Sequence, residues 1–531
     1  MAEERASGHP QAGGEQPVGG QWLGWAGLIV GPLVFIGLRL VVQPTEGGGE
    51  LGGGALTPAG RDVLAVAAWM AIWWLTEAVP LAIAALLPIA VMPLLGITTI
   101  KAAAAPYADE LIFLFLGGFI LGLGLEGAGL HKRFALGSLR VVGVGPKRVI
   151  AGVMVATALL SMFVSNTATA MMMTPLAMSI VALVEGKTGK PDECGWSASC
   201  VSHFSIALLL GVAYAASIGG MGTIIGTPPN LVMTGFVRRE LEIEIGFGQW
   251  MMVAIPLVVI ILPLLWAMLT LVLHPVRAKA IPGGHEFVRS EMKAMGRMSR
   301  AEWTVLFVFG SAVIAWMFRQ PLCDALGLVR GGQGGKPLSY LLSDTGVAII
   351  AAIALFVIPV RAGGGERARV LTWKDAEKKL PWGVLLLFGG GLSIAEAIKT
   401  SGLDQWMGAQ FSGLHGLPIW AVLLVVVTAI VVLGELAGNT AVATTVMPIL
   451  AAAAGPLNFP PVALLFAATM ATSCGFALPV ATPPNAIVFA TGRIGMHRMV
   501  RAGAGLDVMC IVVIVVVFMT IGPWLFKMAG L

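Results

Sequence analysis

Charge is what this chain has least of. Only 11% of its 531 residues are Asp, Glu, Lys or Arg, while 57% are hydrophobic. Soluble proteins of this length carry about a quarter charged residues and divide into several domains, so that class is excluded. Cysteine is nearly as scarce, with five residues scattered without metal-ligand or redox spacing. The seven histidines form no cluster, and neither a nucleotide-binding loop nor a nucleophile motif occurs. No catalytic set and no organic cofactor are therefore expected, and the protein does not read as an enzyme. The excess of five positive charges does not point to nucleic acid, because the basic residues sit in short loops between apolar segments.

What the chain has in abundance is apolar runs, many reaching the ~20 residues that cross a bilayer. Spans are read near 21–42, 61–80, 81–98, 110–129, 201–236, 248–273, 301–319, 343–360, 382–398, 461–492 and 502–527, eleven crossings in all. Residues 1–20 are polar and Gly-rich and read as a disordered tail, without the basic start or cleavage site of a signal peptide. Residues 21–60 then hold the first span and its loop. The segments 131–148, 187–190, 277–300, 361–379 and 493–501 hold roughly two-thirds of all Lys and Arg. With the amino terminus in the cytoplasm all five face the cytoplasm, as basic loops do, and the carboxyl terminus lies outside. The linker 274–300 and the segment 361–381 are expected to form interfacial helices, with a plain solvated loop as the alternative.

The chain also repeats itself. Ser165-Asn166-Thr167-Ala168-Thr169-Ala170 returns 273 positions later as Gly438-Asn439-Thr440-Ala441-Val442-Ala443. At the same offset Pro175 matches Pro448, Gly117-Gly118 matches Gly390-Gly391, and Gly129-Leu130 matches Gly402-Leu403. Thr227-Pro228-Pro229-Asn230 returns 255 positions later as Thr482-Pro483-Pro484-Asn485. Matches in one order with small drift indicate duplication, with a first repeat over 61–273 and a second over 301–531. Five crossings separate the two Asn-Thr motifs, so the second approaches from the opposite face. That is an inverted-topology repeat, the plan of many secondary transporters that hold substrate near the midplane.

Two stretches, 147–183 and 416–455, have apolar arms around a polar middle. Each reads as a re-entrant hairpin whose arms reach mid-membrane and return, with its tip at Ser165-Asn166-Thr167 or Gly438-Asn439-Thr440. Irregular backbone at that depth is tolerated where protein or a water-filled cavity covers it. Ser, Asn and Thr are helix N-cap residues, so each returning arm begins at a tip with its positive end facing an anion. Carbonyl and hydroxyl oxygens there suit Na⁺. Thr227 and Thr482 are expected to cap, and Pro228 and Pro483 to open a second half-helix. Spans 201–236 and 461–492 are thus broken helices with unwound centres. A single Thr-Pro-Pro-Asn would be a kink, and a single Ser-Asn-Thr would be packing between helices; duplication in matching order favours a site. Glu77, Glu126, Glu396 and Glu435 are intramembrane acids and functional candidates. Glu126 and Glu396 are alternatively paired near helix ends, and Glu435, three residues before the second tip, either holds it rigid or carries a proton.

At these motifs, and throughout Thr472-Ser473-Cys474-Gly475-Phe476-Ala477-Leu478-Pro479-Val480-Ala481-Thr482-Pro483-Pro484-Asn485-Ala486-Ile487-Val488, the chain resembles the divalent anion:sodium symporter family over roughly residues 60–527. The resemblance implies an all-α polytopic protein of eleven spans and two hairpins, a homodimer whose transport domains move elevator-fashion, and residence in a bacterial inner membrane. It implies a first sodium site at Ser161, Ser165, Asn166 and Gly226, and a second at Gly434, Ala437, Asn439 and Ala481. It implies that the anion meets Ser165, Asn166, Thr167, Thr227, Pro228, Gly438, Asn439, Thr440, Thr482 and Pro483. The family often has Ser at Gly438 and a hydroxyl residue at Gly434, so this chain's second site lacks two hydroxyls. The expected function is Na⁺-coupled symport of C4-dicarboxylates such as succinate, malate or fumarate. The alternatives are a sulfate or citrate transporter, a dicarboxylate exchanger, or a channel-like protein.

Overall fold

The computed structural model of the protein describes residues 21–45, 55–187, 196–278, 280–281, 283–327, 329–330, 339–340, 342–361, 367–410 and 418–531. The tail expected over 1–20 lies outside them. Among the described residues nine helices are long and apolar enough to cross a membrane. Two of the nine are hairpin arms, Asn166–Glu185 and Ile419–Leu436. Several of the expected crossings are instead shorter apolar helices, among them Asp344–Val357 and Pro461–Thr472.

One expectation is corrected. The span read over 81–98 is two short helices, Leu81–Ala84 and Leu87–Leu94. Pro88, in the first turn of the second helix, has no N–H to continue the first, and Tyr107 donates its hydroxyl proton to the Ala85 carbonyl at the gap. The segment 361–381 does contain a helix, Trp373–Lys379, and before it Pro359–Arg361 and Arg367–Arg369 pair as antiparallel strands. Pro359 forces Ile358 into an extended conformation and ends the preceding helix. A second small ladder joins Val329–Arg330 to Ser339–Tyr340. The linker does contain a helix, Gly284–Met295.

The two halves use the same elements in the same order. Glu110–Gly127 corresponds to Trp382–Thr400, and Leu130–Val142 to Leu403–Gln410. The duplicated Gly129 and Gly402 both have left-handed backbone, φ 77 and φ 73, which explains why glycine stands at each corner. The duplicated Gly117 and Gly390 are points of close helix approach. A Cβ at Gly117 would lie 2.7 Å from the Ala348 Cβ, and one at Gly390 would lie 2.8 Å from the Ala85 Cα.

The basic segment 131–148 meets the linker 277–300. Arg133 pairs with Glu302 and donates to the carbonyls of Met295, Gly296 and Arg297. Trp266 donates to the Lys147 carbonyl at 2.9 Å, and Lys379 pairs with Glu126 at 2.8 Å. A separate network joins Arg238 and Arg239 to the buried Asp109, with Arg239 also on Glu396 at 2.5 Å. Glu126 and Glu396 are therefore paired near helix ends. Glu240 belongs to the same network. Burial pushes its carboxyl up to about 7, and Lys399 and Arg239 pull the other way.

Candidate ion and substrate site

Each hairpin is two helices meeting at a short turn. The first joins Pro146–Ser161 to Asn166–Lys187, and the second joins Ile419–Leu436 to Asn439–Ala454. The arms are not all half-length: Asn166–Lys187 has 22 residues, enough by itself to span a bilayer. The returning arms begin at Asn166 and Asn439, as expected, and no acidic residue lies in either first turn. Ser165 accepts the Ala168 N–H at 3.3 Å. Gly438 is the equivalent cap and has no side chain to offer.

The broken helices fall where the motifs stand. Ala198–Gly220 stops, and Pro228–Glu240 begins after Thr227; Pro461–Thr472 stops, and Pro483–Phe489 begins after Thr482. Thr227 and Thr482 adopt nearly the same backbone, φ/ψ −145/143 and −142/146. Only Thr482 caps with its hydroxyl, accepting the Asn485 N–H at 3.4 Å; Thr227 sits at the cap position without that bond.

The last residue of the motif, to which sequence reasoning assigns no role, is the staple of each break. Asn230 Nδ2 donates to the carbonyls of Gly220, at 2.9 Å, and Thr223, at 2.7 Å. Asn485 Nδ2 donates to those of Gly475 and Leu478, both at 3.0 Å. Both side chains are fully buried. In each repeat the acceptors stand ten and seven residues upstream, a spacing readable once the helix is known to be broken there.

Hairpins and breaks interlock. A Cβ at Gly219 would lie 2.5 Å from the Ala158 Cα, and one at Gly220 would overlap Asn166 Oδ1. In the second half a Cβ at Gly475 would lie 3.3 Å from the Gly434 carbonyl oxygen. The helix Asn166–Lys187 packs on Pro483–Phe489, and Asn439–Ala454 packs on Pro228–Glu240. Each hairpin thus contacts both its own break and the half-helix after the other. The tip residues 165–167 and 438–440 are half-buried, Thr227 and Thr482 are buried, and Pro483 is exposed. Positive helix ends with neutral donors and no acid in their first turns suit an oxyanion.

Besides the cap bond, the two tips differ at the asparagine. Ser161, fully buried, donates to Asn166 Oδ1 at 2.7 Å. Its counterpart is Gly434, and Asn439 Oδ1 is buried without a partner. An orphaned amide oxygen costs about 1–3 kcal/mol and is an open ligand for a hard cation. Gly434→Ser has room for its Cβ, with Thr472 O at 3.8 Å and Asn439 Oδ1 at 4.0 Å. It is expected to stabilise the sodium-free protein by about 1 kcal/mol, read as a raised thermal-inactivation midpoint; an unchanged or lower midpoint would contradict this account of the asymmetry.

The profile described as "Sodium:sulfate symporter transmembrane region" matches residues 53–528. A protein named sodium-dependent dicarboxylate transporter SdcS from Staphylococcus saprophyticus is 38% identical over 501 residues, covering 94% of this chain and 91% of that one. A protein of the same name from Staphylococcus aureus is 36% identical over 497 residues, with the same coverage. Among solved structures, the Alcanivorax borkumensis YdaH transporter aligns with a TM-score of 0.58 at 16% identity, covering 93% of this chain and 98% of that chain. Neisseria gonorrhoeae MtrF aligns with a TM-score of 0.57 at 12% identity, covering 93% and 94%; at such identities these two speak for the fold alone. With the profile spanning most of its length and relatives above a third identical throughout, this chain is a multi-pass membrane transporter of the sodium:sulfate symporter family.

Proposed function

We propose that this protein couples Na⁺ to the uptake of C4-dicarboxylates such as succinate, malate or fumarate across the plasma membrane. The observation that carries the reading is the paired set of hairpin tips and stapled breaks, with helix ends for a dianion and an open amide oxygen at Asn439 for a cation. The names of the staphylococcal relatives support the same substrate and ion. In this reading the first sodium is held by Ser161, Ser165, Asn166 and Gly226, and the second by Gly434, Ala437, Asn439 and Ala481. The dianion lies between Ser165-Asn166-Thr167 and Gly438-Asn439-Thr440, against Thr227-Pro228 and Thr482-Pro483. No Lys or Arg belongs to this set, so sodium balances the substrate's charge.

The reading extends to the whole assembly. Eleven crossings, that over 81–98 made by its two short helices end to end, and two re-entrant hairpins form two inverted repeats, 61–273 and 301–531, with the amino terminus in the cytoplasm and the carboxyl terminus outside. The hairpins and broken helices form a moving unit in each protomer of a homodimer, and the remaining helices form its scaffold. Sulfate is the second candidate, because the family's description names it. The deciding experiment is uptake of labelled succinate by the purified, reconstituted protein under an inward Na⁺ or K⁺ gradient, with unlabelled succinate, malate, citrate and sulfate as competitors. Sodium-driven uptake blocked by C4-dicarboxylates is expected. Uptake indifferent to sodium, or blocked by sulfate alone, would overturn the reading.

A further inference from the structure

We propose that Glu435 is a positioning residue for the second ion site, strapping the unwound segment of the second broken helix to its hairpin. The proposal rests on the sodium-coupled reading above and adds a residue outside the ligand set.

The two repeats join hairpin to break at the same place by different means. Met162 and Glu435 are equivalent by the 273-residue offset, and Thr223 and Leu478 by the 255-residue offset. In the first repeat the Thr223 hydroxyl donates to the Met162 carbonyl. Leu478 has no hydroxyl, and the direction reverses. Glu435 Oε1 accepts the Ala477 N–H and Oε2 accepts the Leu478 N–H, both at 2.8 Å.

The second break needs this strap because it is the more unwound. Its non-helical stretch runs from 473 to 482, against 221 to 227 in the first. In the first break Met221 and Gly222 donate to the carbonyls of Ile218 and Gly219. Their counterparts, Phe476 and Ala477, bond to side chains instead: Phe476 N–H to Asp507 at 3.3 Å and Ala477 N–H to Glu435. Three successive amides of the second break are therefore held by carboxylates from neighbouring helices. The Phe476 carbonyl in turn accepts the Tyr214 hydroxyl at 2.9 Å.

From the strap the geometry passes to the proposed ion ligands in one step. The Leu478 carbonyl accepts the Ala481 N–H at 3.2 Å and the Asn485 side chain at 3.0 Å. Fixing the Leu478 peptide therefore fixes where Ala481 sits. On the hairpin side Glu435 follows Gly434, whose carbonyl faces Gly475 of the break. Glu435 thus holds both walls of the second site in register. A carboxylate does this with two acceptors, whereas glutamine has only one and turns an NH₂ toward an amide N–H.

The test is sodium activation of succinate uptake by full-length wild type, Glu435→Gln and Glu435→Asp in proteoliposomes, with succinate KM measured separately at saturating sodium. Outer residues that orient metal ligands change affinity by about 10–100-fold. Glu435→Gln is expected to raise the half-saturating sodium concentration about tenfold or more while succinate KM moves less than about threefold. A residue serving only the fold would lower the amount of active protein and leave the sodium curve unchanged, and that result would overturn the proposal. Should Glu435→Gln fail to assemble, Glu435→Asp decides. It keeps both acceptors one methylene short and is expected to shift sodium activation upward about threefold; a wild-type curve would overturn the proposal. Wild-type uptake indifferent to sodium would sink the functional reading itself, and the strap's role with it, before any variant is compared.

Discussion

Alanine at Asn439 is expected to reduce sodium-driven succinate uptake at least about a hundredfold, roughly 3 kcal/mol, while the protein still assembles. The side chain is half-buried at the hairpin tip, and its Oδ1 has no protein partner. Removing it takes away a cation ligand without breaking a bond that holds the fold together. Asn166→Ala is expected to lose uptake equally and to be less stable, because it also strips the acceptor from the buried Ser161 hydroxyl. The difference is measurable: both variants lack uptake in proteoliposomes, but only Asn166→Ala shows an earlier thermal midpoint in detergent. Full uptake by reconstituted Asn439→Ala would remove that residue from the site.

Replacing the staple asparagines should act on the fold first. Asn485 donates to two buried carbonyls that have no helix to satisfy them. The Leu478 carbonyl keeps the Ala481 N–H, but the Gly475 carbonyl loses this donor at about 1–3 kcal/mol, so Asn485→Leu is expected to destabilise the protein by about 1–3 kcal/mol. Asn485→Asp, nearly the same in shape, should be at least as damaging, because a carboxylate presents acceptors to acceptors. The same holds for Asn230, whose two bonds are equivalent. The measurement is the fraction of protein surviving size-exclusion chromatography after graded heating. Wild-type survival of Asn485→Asp would remove the staple from the account.

Local features of the chain carried far into the architecture. The long apolar runs, the proline pairs and the N-cap residues act within a few positions of themselves, and they are where the helices, hairpins and breaks occur. The returning arms begin at Asn166 and Asn439, and the second half-helices begin at Pro228 and Pro483. Local reasoning erred where a local signal was underweighted. Pro88 splits the stretch 81–98 into two short helices. The cap at Thr227 failed for a different reason: a residue can occupy the cap position while its hydroxyl makes no cap bond.

Contacts between distant segments were another matter. That Glu435 meets Ala477 and Leu478 is a contact across more than 40 positions, and the reach of Tyr214 to Phe476 spans 262. Neither follows from propensity or periodicity, which see only near neighbours. The lack of hydroxyls at Gly434 and Gly438 follows from setting the chain beside the family it resembles. Its consequence does not, because an amide oxygen is orphaned only when burial removes water and no other donor comes near. The duplicated motifs in this chain therefore specify where the backbone must leave the helix. Which carboxylate, hydroxyl or amide then holds each opening is set by packing between helices far apart in the chain, and on that point the two repeats have diverged.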